Sequence, residues 1–184
     1  MSSDTAYRPY RLLLVVSLLL LIPLVAMQFS REVIWGPFDF VVAFVLLFGA
    51  GLTYQLISHR RVDTRYRFAV GFGVLSALML VWVSLAVGLI GNEEDPRNLM
   101  YAGVLLVLAV GAAIARFKPR GMANAMFATS LAIGIVAAIG FFVGQGTDAP
   151  REVVKIVGVN GFFAALFGAS GMLFGGSTPR SFPG

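Results

Sequence analysis

The residues of this chain best suited to chemistry are carboxylates gathered near two turns. The run Gly91-Asn-Glu-Glu-Asp-Pro-Arg-Asn98 sets Glu93, Glu94 and Asp95 side by side, and Asp148 and Glu152 flank Pro150. Oxygen-rich groups of this kind suit a hard divalent cation. Carboxylates that share a small volume repel one another until a cation offsets them. The run lacks the alternating ligand spacing of an EF-hand loop, so a second reading stands beside the metal site. In it the turn is solvated, caps the helix that follows, and has its charge neutralised by Arg97 and Arg151. A carboxylate pair also suits hydrolysis at a membrane surface. No nucleophile accompanies it, and no catalytic residue is assigned.

A second set of candidates is weakly polar and lies in apolar surroundings. Asn160 is the only strongly polar residue close to the middle of a hydrophobic run, with Lys155 five residues before it and Ser84, Thr129 and Ser130 in other runs. These could line a cavity, or Asn160 could bond a neighbouring helix. The chain has no Cys and a single His, His59. Thiol chemistry is therefore excluded, paired-His haem ligation and multi-His metal centres cannot be built within one chain, and the composition argues against intrachain haem or iron–sulfur ligation; no cofactor is assigned. No GxxxxGK[ST], HExxH or GxSxG pattern occurs.

The elements that must position these residues are membrane spans. Hydrophobic residues make up 58% and charged residues 12% of the chain, about half the charge of a soluble domain; mean hydropathy is +0.86. A bilayer core takes about 20 apolar residues per helix. Six such runs occur, at Leu12–Gln28, Phe38–Ser58, Phe68–Ile90, Leu99–Ala115, Met122–Gly144 and Val153–Phe174. The expected fold is all-α, a single transmembrane domain over 1–184 with six transmembrane helices in three antiparallel hairpins. The first run follows basic residues as a signal peptide would, but Gln28-Phe-Ser-Arg-Glu is a poor cleavage site. It reads as a retained helix, kinked at Pro23.

Basic residues set the orientation. Arg8, Arg11, Arg60, Arg61, Arg65, Arg67, Arg116, Lys118, Arg120 and Arg180 fall on one side; Arg31, Arg97, Arg151 and Lys155 fall on the other. This asymmetry predicts cytoplasmic N and C termini. It also accounts for the net charge of +5 without a nucleic-acid partner. The segment HRRVDTRYR could bind phosphates and reads first as a membrane-flanking anchor. Partners expected from composition are membrane lipids and either further copies of the chain or a larger membrane complex.

The three hairpins share a plan. Each even-numbered helix begins after a proline (Pro37, Pro96, Pro150) with an acidic residue close by, and carries a small-residue cluster: LFGAG at 47–51, VGAA at 110–113 and LFGAS at 166–170. Proline suits the first helical position and negative charge suits the helix N-terminus. Gly161, Ala165 and Ala169 lie at i, i+4 and i+8, which marks a face for close helix approach. Trp35, Tyr101 and Trp82 are candidates for interfacial or lipid anchoring.

The stretches PLVAMQF (23–29), PFDFVVAFVLLFGAGLTYQL (37–56), VGLIGNEEDPRNLMYAGVL (87–105), ARFKPRGMANAMFATSLA (115–132) and NGFFAAL (160–166) resemble a group of uncharacterised bacterial six-helix inner-membrane proteins of unknown function. The resemblance implies the bacterial inner membrane and carries over no activity and no site residues. The lack of charge inside the spans, with abundant small and Phe residues, leads instead to the expectation of a non-catalytic scaffold or accessory subunit of a membrane complex. The alternative is a channel or carrier for a small neutral or lipophilic solute.

Overall fold

The computed structural model describes residues 9–29, 34–59, 63–90, 95–143 and 150–177, the side chains of 9, 143 and 150–153 excepted. All regular structure among them is helical: α1 (Pro9–Phe29), α2 (Pro37–Ser58), α3 (Thr64–Ala86), a 3-10 turn (Pro96–Leu99), α4 (Met100–Ala115), α5 (Pro119–Val143) and α6 (Pro150–Gly175). Six helices are long and apolar enough to cross a membrane, the pattern of a multi-pass membrane protein. Large apolar side chains cover their outer surfaces; Ile22 is 65% exposed, Leu131 67% and Met172 66%. A helix apolar all round belongs in hydrocarbon or in a deep core.

The chain divides into two compact units, Met1–Arg60 and Arg61–Gly184. In the first, α1 runs through Pro23 and packs along α2. Their approach is close at Gly51, where any Cβ would overlap the Leu12 side chain. α2 opens as its sequence requires. Pro37 takes the first position, and the Asp39 carboxylate accepts the Gly36 N–H at 2.7 Å, which satisfies a donor the helix itself cannot.

In the second unit α5 packs along both α4 and α6, α6 also packs on α3, and α3 touches α4 only lightly. Each helix turns a narrow stripe inward. On α3 it is Tyr66, Ala69, Val70, Gly73, Ser76 and Leu80; on α6 it is Ile156, Asn160, Phe163, Phe167, Ser170 and Phe174. The α6 stripe alternates steps of four and three, the repeat that keeps one face of a helix towards its neighbours; the α3 stripe follows the same face with Val70 added beside Ala69. Small residues set the distances. A Cβ on Gly73 would meet Ser170 Oγ at 3.0 Å, one on Gly111 would meet Ala125 Cβ at 2.9 Å, and one on Gly121 would meet Ala115 Cβ at 2.7 Å.

Two expectations need correcting. Helix three ends at Ala86, not Ile90. Gly88 takes φ 72 and its N–H reaches back to Val83 O, a glycine stop of the kind that commonly closes helices. Leu89 and Ile90 then fold inward and are fully buried. Asn98 clasps them: its Oδ1 accepts both N–H groups at 3.0 Å and its Nδ2 donates to Ile90 O at 3.2 Å. The second correction concerns Gly161. A Cβ there would meet nothing within 4 Å, and Ala165 is exposed. Helix six buries the face one position round, on Asn160, Phe163 and Phe167. The small-residue clusters of the even-numbered helices differ in packing: a Cβ on Gly111 would overlap Ala125, one on Gly168 would make ordinary contact with Ser130, and one on Gly49 would meet nothing within 4 Å.

These contacts predict opposite outcomes for two Gly→Leu changes. Gly111→Leu overpacks α4 against the α5 backbone and should cost about 1–3 kcal/mol. Gly161→Leu should leave the melting temperature in detergent unchanged or slightly raised, because glycine is the poorer helix former.

Candidate functional site

The buried polar side chains described in the second unit all find partners within the protein, and several of them join one helix to another. At the start of α4 the Tyr101 hydroxyl donates to Asn160 Oδ1 at 2.6 Å, and Asn160 Nδ2 donates to Ile156 O of its own helix at 2.9 Å. Both residues are 2% exposed. Tyr101 is therefore no lipid anchor: it is buried and ties α4 to α6. Ser130 Oγ donates to Ala164 O across α5 and α6 at 2.8 Å, and Ser170 Oγ donates to Ala69 O across α6 and α3 at 3.0 Å. Thr129 is fully buried and bonds Ala125 O, one turn back. Where no water can bond a polar group, each must find a partner within the protein. These have.

Beside Asn160 lies a groove of about 390 Å³ between α5 and α6, open on one side and almost wholly apolar. Gly134, Ala138, Gly161 and Ala164 form its floor, with Phe141 and Phe142 towards the end of α5. A Cβ on Gly134 or Gly161 would meet no atom within 4 Å. Of the residues expected to line a cavity, only Asn160 borders this groove, with its polar atoms engaged elsewhere. Thr129 and Ser130 face helix contacts; Ser84 and Lys155 are half-buried and do not border it.

The acidic turn is described only at Asp95. Its carboxylate accepts the Arg97 backbone N–H at 2.9 Å and pairs with the Arg97 guanidinium at 2.6 Å. Hydrogen bonds from the guanidinium, then from the backbone N–H, hold its carboxyl below the ordinary range. Asp95 is thus the neutralised cap of the 3-10 turn. Glu93, Glu94, Asp148 and the Glu152 side chain lie outside the described residues. Among the described residues no three metal-ligating side chains come together.

No family model matches the chain, and no curated protein or solved structure does either.

Sequence reasoning missed three residues that shape this unit: Tyr101 as the partner of Asn160, Asn98 as a loop clasp, and Tyr66. Tyr66 is 1% exposed, donates to Phe117 O at 2.7 Å and meets the Phe174 ring edge-on at 5.2 Å. Aromatic and carboxamide side chains near helix ends look like interfacial residues in one dimension. Only their partners distinguish them.

A double-mutant cycle of Tyr101→Phe and Asn160→Ala in detergent should return a coupling of about 0.6 kcal/mol, and at most about 1.7; zero coupling would mean the pair does not form. Asp95→Asn keeps a capping oxygen but loses the charge. A carboxyl with a lowered folded pKa contributes stability that is complete above its ordinary value, near 3.8. That stability is lost as pH falls through the lower folded value. The melting difference between parent and Asp95→Asn should be steady near neutrality and close as the pH drops below about 4.

Proposed function

We propose that this chain is a scaffold or accessory subunit of the bacterial inner membrane that docks another transmembrane helix in the α5–α6 groove. Its arrangement would be three antiparallel hairpins with both termini cytoplasmic. The orientation rests on ten basic residues on one side against four on the other, and a reporter fused after Gly184 should be active in the cytoplasm.

The observation that carries the docking role is the groove itself. It is apolar, so water gains little by filling it, and floored by Gly and Ala, so a helix backbone can come close. A second helix laid there gains dispersion contacts along its length, which a disordered lipid tail makes less completely. The inward polar groups support the same reading, since Asn160, Ser130 and Ser170 bond helices rather than face a passage.

In native gels and in-membrane cross-linking, the full-length chain should run as a complex with itself or with a membrane partner. Gly161→Leu, which fills the groove floor, should release that complex without unfolding the chain. A strictly monomeric protein with nothing co-purifying, indifferent to Gly161→Leu, overturns the proposal. The groove's volume also suits a small lipophilic solute, which would favour a carrier. Asn160→Cys in this cysteine-free chain separates the readings: protection from aqueous thiol reagents agrees with a sealed packing residue, and rapid labelling points to a solvent path.

A further inference from the structure

One end of the second unit gathers positive charge from two separate stretches of sequence. The Tyr66 hydroxyl donates to Phe117 O at 2.7 Å, which pins the start of α3 to the turn between α4 and α5. Both ends of that hydrogen bond are bracketed by cations. Arg65 and Arg67 flank Tyr66, and Arg116 and Lys118 flank Phe117, with Arg120 two residues on. All five are exposed. The bonded tyrosine itself is buried, so the bond lies beneath the charges that surround it.

The turn is built to hold this shape. Arg116 and Phe117 both take left-handed backbone, at φ 48 and 57, a conformation unfavourable for a residue with a Cβ. The backbone N–H groups of Arg116, Phe117 and Lys118 return to Ala113, Ala112 and Ala115, and Tyr66 takes the Phe117 carbonyl. The end of α6 joins the same cluster. Phe174 packs on Tyr66, and the Arg65 guanidinium lies so close to Gly176 that a Cβ there would overlap it. The acid at this end among the described residues is Asp63, and its carboxylate already accepts the Arg65 N–H at 3.0 Å. Among the described residues the ion pair formed is Arg97–Asp95, in the turn before α4, and none of these five cations takes part in it.

Five exposed cations over a buried aromatic cluster, at the ends of helices that cross a membrane, match one chemistry. We propose that this end of the second unit is a binding surface for the headgroups of anionic phospholipids. Phosphate oxygens accept hydrogen bonds from guanidinium forks in two-pronged fashion. Basic residues beside a membrane surface each strengthen association with anionic lipid about fivefold. The hydrogen-bonded turn adds what scattered basic residues lack, a fixed spacing between the α3 pair and the turn pair. This inference rests on the six helices lying in a bilayer, and is independent of what fills the α5–α6 groove.

The test uses the full-length protein, delipidated in a neutral detergent, with melting followed as lipid is added. Dioleoylphosphatidylglycerol should raise the melting temperature well above the value in dioleoylphosphatidylcholine. Arg65→Gln/Arg67→Gln and Arg116→Gln/Lys118→Gln should each reduce that difference while melting normally in phosphatidylcholine. Tyr66→Phe keeps every charge but frees the turn, and should also reduce the difference; unchanged behaviour there would reduce the surface to a mere charge count and overturn the fixed geometry. Should a double variant fail to fold, Lys118→Gln alone, in an exposed turn, still has to lower the preference. Equal melting of the parent in the two lipids overturns the proposal. So does equal stabilisation by inorganic phosphate, or by polyglutamate, which would indicate a free anion or an acidic protein segment instead.

Discussion

Lipid tails are as apolar as leucine, so burying a leucine between two membrane helices gains little over leaving it in the bilayer. The second unit is shaped by that constraint. Its helices meet where side chains are small enough for close approach or polar enough to need a partner. Gly73 lies against Ser170, Gly111 against Ala125, Ser130 bonds the Ala164 carbonyl, and Tyr101 bonds Asn160. Each of these contacts would be unremarked in a water-soluble core. In hydrocarbon they decide which face turns inward, because the large apolar residues can sit equally well on either side.

The helix ends pose the opposite problem. There the chain must leave the helical hydrogen-bond pattern, and the freed carbonyls and N–H groups need partners. Different side chains solve it at different turns. Asp39 caps α2, Asn98 clasps the inward-folded Leu89 and Ile90, and Tyr66 takes the carbonyl of a turn with two residues in left-handed backbone. The last is the most constrained. The tight reversal between α4 and α5 brings Gly121 beside Ala115 and puts Arg116 and Phe117 in left-handed backbone, and the Tyr66 hydroxyl donates to the Phe117 carbonyl of that turn.

What the packing leaves over is as informative as what it uses. The buried polar side chains of the unit bond one another or backbone carbonyls, while an apolar groove between α5 and α6 and a basic end around Tyr66 remain on the surface. One surface suits hydrocarbon or another helix, the other suits phosphate.

Six long apolar helices, the rough place of each, and the opening of α2 by Pro37 and Asp39 could be read from sequence alone. Those features depend on residues near one another in the chain, such as Pro37 with Asp39. Helix ends were less legible. Ile90 looks like the end of a span because it is apolar, and only Gly88 and the clasp from Asn98 take it out of the helix. The inward faces were least legible of all. In a soluble helix the buried stripe is written in hydrophobicity, but here every face is hydrophobic, so Gly161 with its open groove and Gly111 with its tight contact read alike. Tertiary structure alone decided which glycine is approached, that Tyr101 seeks Asn160 rather than the lipid surface, and that Arg65 and Lys118, far apart in sequence, stand at one end. Those outcomes depend on which helix lies beside which, and that choice rests on shape and on single hydrogen bonds rather than on composition.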